Sequence, residues 1–224
     1  MRAAILPVLV TNLGCFGCFE DPGLLPESAS ASSEASGPET SSAATGSAGT
    51  TSTTTGAPGC YGTDFGAEPR DWAVVSPAFS WVPGDGVYHG TASATPAIAR
   101  LAGEPWLGVR ADVRLRFAED GHAGVILRAT ELPGGSFLYV EASAGGVRGF
   151  QDGFEGSSFT IGTALTAGAW HTLTVELMGD AVRVEFDGQQ MISGLPLPGH
   201  PAGSVALVVS AGSADFDTLS LCPV

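Results

Sequence analysis

The sequence predicts an all-β domain, a two-sheet antiparallel sandwich or jelly roll, preceded by a disordered linker. Three observations carry this. Residues 169–192 read AWHTLTVELMGDAVRVEFDGQQMI, where Leu173, Val175 and Leu177 alternate with Thr172, Thr174 and Glu176. After the Gly179-Asp180 turn, Val182, Val184 and Phe186 alternate with Arg183 and Glu185, and Asp187-Gly188 turns the chain again. Such period-two alternation between Gly/Asp turns marks antiparallel strands with one buried face. Short stretches of the same kind recur from Cys60 onward, with no helical period longer than two turns. The segment from Glu27 to Pro58, by contrast, has no apolar pattern at all.

Taken in order, residues 1–19 form a leader. One positive charge precedes a short apolar run from Ala3 to Val10, far below the roughly 20 apolar residues a membrane span needs. The shape is that of a compact secretory signal. Leu13-Gly14-Cys15 resembles a bacterial lipobox, which implies acylation of Cys15 and an exported lipoprotein held at the outer membrane or cell surface. Asn12 departs from that pattern, since an aliphatic residue is usual there, and Cys18 is a second acceptor.

Residues 20–59 are the linker. From Glu27 to Pro58 the chain is rich in Ser and Thr, with no aromatic residue and no Leu, Ile or Val. Such a segment buries too little apolar surface to offset its ordering entropy. Residues 60–224 are the folded domain, with strands expected at 72–75, 87–91, 96–100, 107–117, 123–129, 137–142, 146–151, 170–178, 181–186, 204–210 and 216–221. Cys60 and Cys222 bracket this domain. Export and the usual proximity of domain termini favour a disulfide between them; two free thiols or a metal pair are the alternatives.

Composition excludes one class of partner. The formal charge is -14, and all nine basic residues are Arg. A nucleic-acid partner, which requires cationic contacts to phosphate, is not expected.

In order, the segments TDFGAEPRDWAVV, WVPGDGVYHG, GHAGVILRA, FLYVEA, AWHTLTVELMGDAVRVEFDGQ and AGSVALVVSAGSADFDTLSL resemble the concanavalin A-like (laminin-G-like) jelly roll. That family holds lectins, glucanases, adhesion modules and keto-disaccharide hydrolases, so fold alone does not decide function. Its glucanases carry two carboxylates on one strand face, the minimum for glycoside hydrolysis. Here Glu185 and Asp187 share a face but lie in a hairpin turn, and the strand with Tyr139 and Glu141 has a single carboxylate. No nucleophile elbow or metalloprotease motif occurs, and the reading leans away from catalysis.

A binding face is the better candidate. Alternation sets Ile126 and Arg128 opposite Val125 and Leu127, and Tyr139 and Glu141 opposite Leu138 and Val140. Arg128, Tyr139 and Glu141 are expected to point away from the core, joined by Arg148 and Gln151 from the next strand, on the curved surface where relatives bind sugars. Trp170 is expected in the core. Trp81 and Trp106 are the loop aromatics suited to stacking on a sugar. The resemblance implies a structural Ca2+ near the rim, with Asp64, Asp215 and Asp217 as candidate ligands. The four His (His89, His122, His171, His200) form no recognisable ligand set. The expected function is non-catalytic binding of a carbohydrate or other surface ligand by a membrane-anchored lipoprotein. The alternatives are a hydrolase of the keto-disaccharide type or a purely structural surface module.

Overall fold

The computed structural model describes residues 59–76, 78–82, 85–151, 158–197 and 199–224. The leader with Cys15, and the linker up to residue 58, lie outside the described residues, as do the readings made on them.

Among the described residues the regular structure is β throughout, in two antiparallel sheets. One sheet runs in the order β13 (Gln189–Pro196), β12 (Ala181–Phe186), β11 (His171–Met178), β6 (Val109–Phe117), β15 (Ser213–Cys222), β4 (Val87–Thr91) and β3 (Phe79–Val82). A short strand, β1 (Tyr61–Thr63), also pairs with β15. The other sheet runs β10 (Ser158–Gly162), β9 (Gly146–Phe150), β8 (Leu138–Ser143), β7 (His122–Ala129), β14 (Ser204–Ala211), β5 (Ala97–Leu101) and β2 (Trp72–Val74).

Every strand expected from alternation is present, its ends moved by a few residues. The strands that alternation missed are β1, β3, β10 and β13. They are short or lie at sheet edges, where only one side needs a partner. Strand β13 also carries Gly194 and Pro196, and its residues are mostly exposed. Their existence depends on pairing rather than on their own pattern.

Strand β6 shows why the layers form. Val109, Ala111, Val113, Leu115 and Phe117 are buried, while Arg110, Asp112, Arg114 and Arg116 face outward. The inward set meets Val125 and Leu127 of β7, Leu138 and Val140 of β8, and Leu207 and Val209 of β14 in one apolar core. Burying one such aliphatic side chain stabilises the fold by about 1.5–3 kcal/mol.

Cys60 and Cys222 form a disulfide, with Cα atoms 4.3 Å apart and a sequence separation of 162. Closing so long a loop is worth about 5 kcal/mol in the chain-entropy model. The bridge fastens the start of the domain to its end, where Tyr61 pairs with Leu221.

Candidate functional site

The face of the seven-stranded sheet turned away from the core carries a second apolar cluster. It comprises Ile98, Ile126, Ala129, Phe137, Tyr139, Ala206 and Val208, with Leu132 and Phe150 packed against it. Phe137 and Leu132 come from the β7–β8 connection, which lies back over this face. Alternation therefore put Tyr139 on the right side of the sheet, but that side is covered: Tyr139 is buried, its ring stacked on Phe150 at 5.5 Å.

Glu141 stands one turn of the pleat further along and is 0 % exposed. A buried carboxylate needs partners, and three neighbouring strands supply them. Arg148, opposite Glu141 in the β8–β9 register, donates its Nε–H to Oε1. From β14, Ser210 Oγ donates to Oε2 at 2.5 Å. His122 of β7 lies with Nδ1 3.4 Å from Oε1 and accepts an N–H of Arg148 Nη2 at 2.7 Å. This last bond requires an unprotonated Nδ1 on His122. Gly124 sits directly opposite Glu141, and a Cβ there would come within 1.9 Å of the Val140 carbonyl oxygen. Glycine thus lets the two strands close where the carboxylate is held.

The residues a ligand can reach are the partners, not the carboxylate. The Arg148 side chain is 37 % exposed and that of His122 30 %. Arg148 spans Phe150, its Cζ 5.3 Å from the ring centroid. Gln151 is half-buried and donates to the Pro196 carbonyl at 2.8 Å, tying the end of β9 to the edge of the other sheet. Of the expected binding set, Arg148 and Gln151 are reachable, whereas Tyr139 and Glu141 are buried beneath them. Sequence reasoning missed His122, Phe150 and Ser210. Only the strand order brings β7, β9 and β14 to Glu141; the one local signal was the shared parity of Arg148 and Phe150.

Arg128 corrects the alternation reading outright. It is 1 % exposed and lies at the end of the sandwich, not on the open face. A β-bulge sets Leu127 and Arg128 opposite Val205, and Arg128 adopts φ +54°. Its guanidinium donates to three carbonyls: Leu107 through Nε at 2.6 Å, Gly179 through Nη2 at 2.6 Å and His200 through Nη1 at 3.2 Å. Gly203 passes so close that a Cβ would meet the Arg128 carbonyl carbon at 2.4 Å.

The three aspartates named as candidate calcium ligands are not brought together. Asp215 is bound by His89 and Arg116, each at 2.7 Å, and Asp217 by Arg114. Asp64 is exposed and accepts the Gly66 N–H at 3.0 Å. Among the described residues no group of three His, Cys, Asp or Glu side chains converges as a metal site. Asp215 and Asp217 neutralise arginines rather than gather around a cation.

The carboxylates weighed for hydrolysis are likewise engaged. Glu185 pairs with Arg183, and Asp187 accepts from the Thr172 N–H at 2.8 Å and contacts His171 Nδ1 at 2.7 Å. Trp170, expected in the core, is only partly buried and lies on the outward face of the eight-stranded sheet, under Arg114 and Arg116. Trp81 stands on β3 rather than in a loop. Trp106 does occupy the β5–β6 loop and is partly buried.

The sequence matches no family model and no curated protein. Solved structures do match. The beta-glucanase of Bacillus licheniformis superposes with a TM-score of 0.59 at 11 % identity, covering 74 % of this chain and 99 % of that one. The fold is the concanavalin A-like jelly roll. The carbohydrate-binding module CBM66 from Bacillus subtilis gives 0.55 at 16 % identity, over 66 % of this chain and 92 % of its own. A lichenase from a mouse hindgut metagenome gives 0.56 at 10 % identity, over 74 % and 100 %. Binding modules and glucanases thus share this architecture.

Proposed function

We propose that the domain is a non-catalytic carbohydrate-binding module whose ligand lies over Arg148, His122 and Phe150 on the outer face of the seven-stranded sheet. The observation that carries this reading is the half-exposed Arg148, fixed by a fully buried Glu141. A preorganised guanidinium beside an aromatic ring suits sugar hydroxyls and the apolar face of a pyranose. The solved structures that share the fold include a carbohydrate-binding module and glucanases, in keeping with a glycan ligand. Binding is preferred to hydrolysis on chemical grounds. Hydrolysis by the usual route needs two carboxylates about 5–9.5 Å apart. The described part of this face offers Glu141, whose two oxygens are already taken. The leader adds an address: export, with acylation of Cys15 and the linker holding the module off the outer membrane or cell surface.

The full chain on a glycan array tests the function. Selective binding to one glycan class is expected, weakened at least about tenfold by Arg148→Ala through loss of a charged hydrogen-bond donor. Absence of any glycan binding, or binding indifferent to that substitution, would sink the site. Release of new reducing ends from the bound glycan would instead establish a hydrolase.

A further inference from the structure

The loop 102–108 between β5 and β6 borders, with β1, an open cavity of about 260 Å³ near the disulfide-bonded start of the domain. Its walls are Tyr61, Leu101, Ala102, Glu104, Pro105 and Trp106. Pockets for drug-sized ligands run from about 300 Å³ upward, so this one suits a single compact group. The lining has two aromatic rings, an aliphatic floor and one carboxylate, and it contains no Arg or His. Asp71 is tied to the loop through its backbone. The Asp71 carbonyl accepts the Ala102 N–H at 2.8 Å. Burial pushes the Tyr61 phenol above its usual range, with the Asp71 charge adding to the rise and the Trp72 hydrogen bond opposing it.

The cavity is built on fixed backbone. Trp106 and Gly203 exchange two backbone hydrogen bonds, at 2.8 and 3.1 Å. Arg128 holds the next carbonyl, that of Leu107, at 2.6 Å. A preorganised wall loses little entropy when it is filled. Anions find no donor cation among these walls and meet a chain of charge -14. A cation meets Tyr61, Trp106 and the carboxylate-bearing Glu104 among these walls, the residue types that recognise alkylammonium groups.

We propose that this cavity binds a compact organic ammonium group, of the size of trimethylammonium. The source is either a soluble amine or a choline-type lipid headgroup, which share that chemistry. This site is separate from the carbohydrate face and does not rest on it.

The test is calorimetric titration of the full chain with choline and with 3,3-dimethylbutanol, its uncharged isostere. Saturable choline binding is expected, with the isostere at least about tenfold weaker. Trp106→Ala should weaken choline binding about tenfold. Glu104→Gln changes an exposed side chain, so it should weaken binding severalfold with no change in melting midpoint; it keeps the test decisive if Trp106→Ala does not fold. Flotation with phosphatidylcholine vesicles separates the sources: recovery with vesicles points to a headgroup, and binding of free choline alone to a soluble amine. Equal affinity for both titrants would make the cavity merely apolar and overturn the proposal. So would the absence of saturation by choline, or choline binding that neither variant alters.

Discussion

Arg128 and Arg148 show how one residue type is put to opposite uses. Arg128 is removed from water without a paired carboxylate and is satisfied by three main-chain carbonyls. Burial pulls its guanidinium below the usual pKa, and the charge of Asp180 partly offsets this. It stitches together the 102–108 loop, the β11–β12 turn and the segment before β14. Arg128→Met keeps the stem but strands three carbonyls, so a loss of about 3 kcal/mol or more is expected, or roughly 6–12 °C in melting midpoint for a domain of this size. A thermal melt of the variant within a degree or two of the parent would contradict this role. Arg148 instead keeps an edge in solvent, because its partner is the buried Glu141 beside it. Their types and spacings were visible in the sequence. Their roles were not, since the bulge at Arg128 breaks the parity that alternation assumes.

At the scale of the element, strand parity decides which charges meet. The outward residues of β6 place Arg116 against Asp215 and Arg114 against Asp217 of β15. Burial alone would raise the Asp215 pKa. The hydrogen bonds from His89 and Arg116 and their charges outweigh it, holding the carboxyl below its ordinary value of 3.8. A carboxyl with a lowered folded-state pKa contributes stability that is complete above the unfolded value and disappears as pH falls through the folded one. Denaturant melts at a series of pH values should therefore show stability falling below about pH 4. Asp215→Asn should flatten that part of the profile. An unchanged acid slope in the variant would remove Asp215 as a contributor. The same element explains why these aspartates do not converge: Asp215 and Asp217 read as hard oxygen ligands only while the arginines of β6, about a hundred residues away, are out of view.

At the scale of the whole molecule, the two ends of the domain are fastened together by the Cys60–Cys222 bridge and by β1 on β15. A disulfide that spans the domain suits an oxidising compartment, in keeping with the proposed export. Cys15→Ala in the full chain should move the protein from the membrane fraction to the soluble fraction. Equal membrane recovery of parent and variant would rule out acylation at Cys15.

The sequence by itself determined the class of fold. Alternation is a local property, and residues such as Leu173, Val175 and Leu177 cannot all be buried unless a strand forms. It also paired the two cysteines that the disulfide joins. The tertiary structure alone decided the sites. The burial of Glu141, the company of His122, Arg148 and Ser210, and the cavity that Tyr61 and Trp106 both line all depend on segments that are neighbours in space and distant in the chain. A period-two pattern says which side of a strand a residue is on. It does not say what covers that side, and the loop bearing Leu132 and Phe137 covers the one that mattered here.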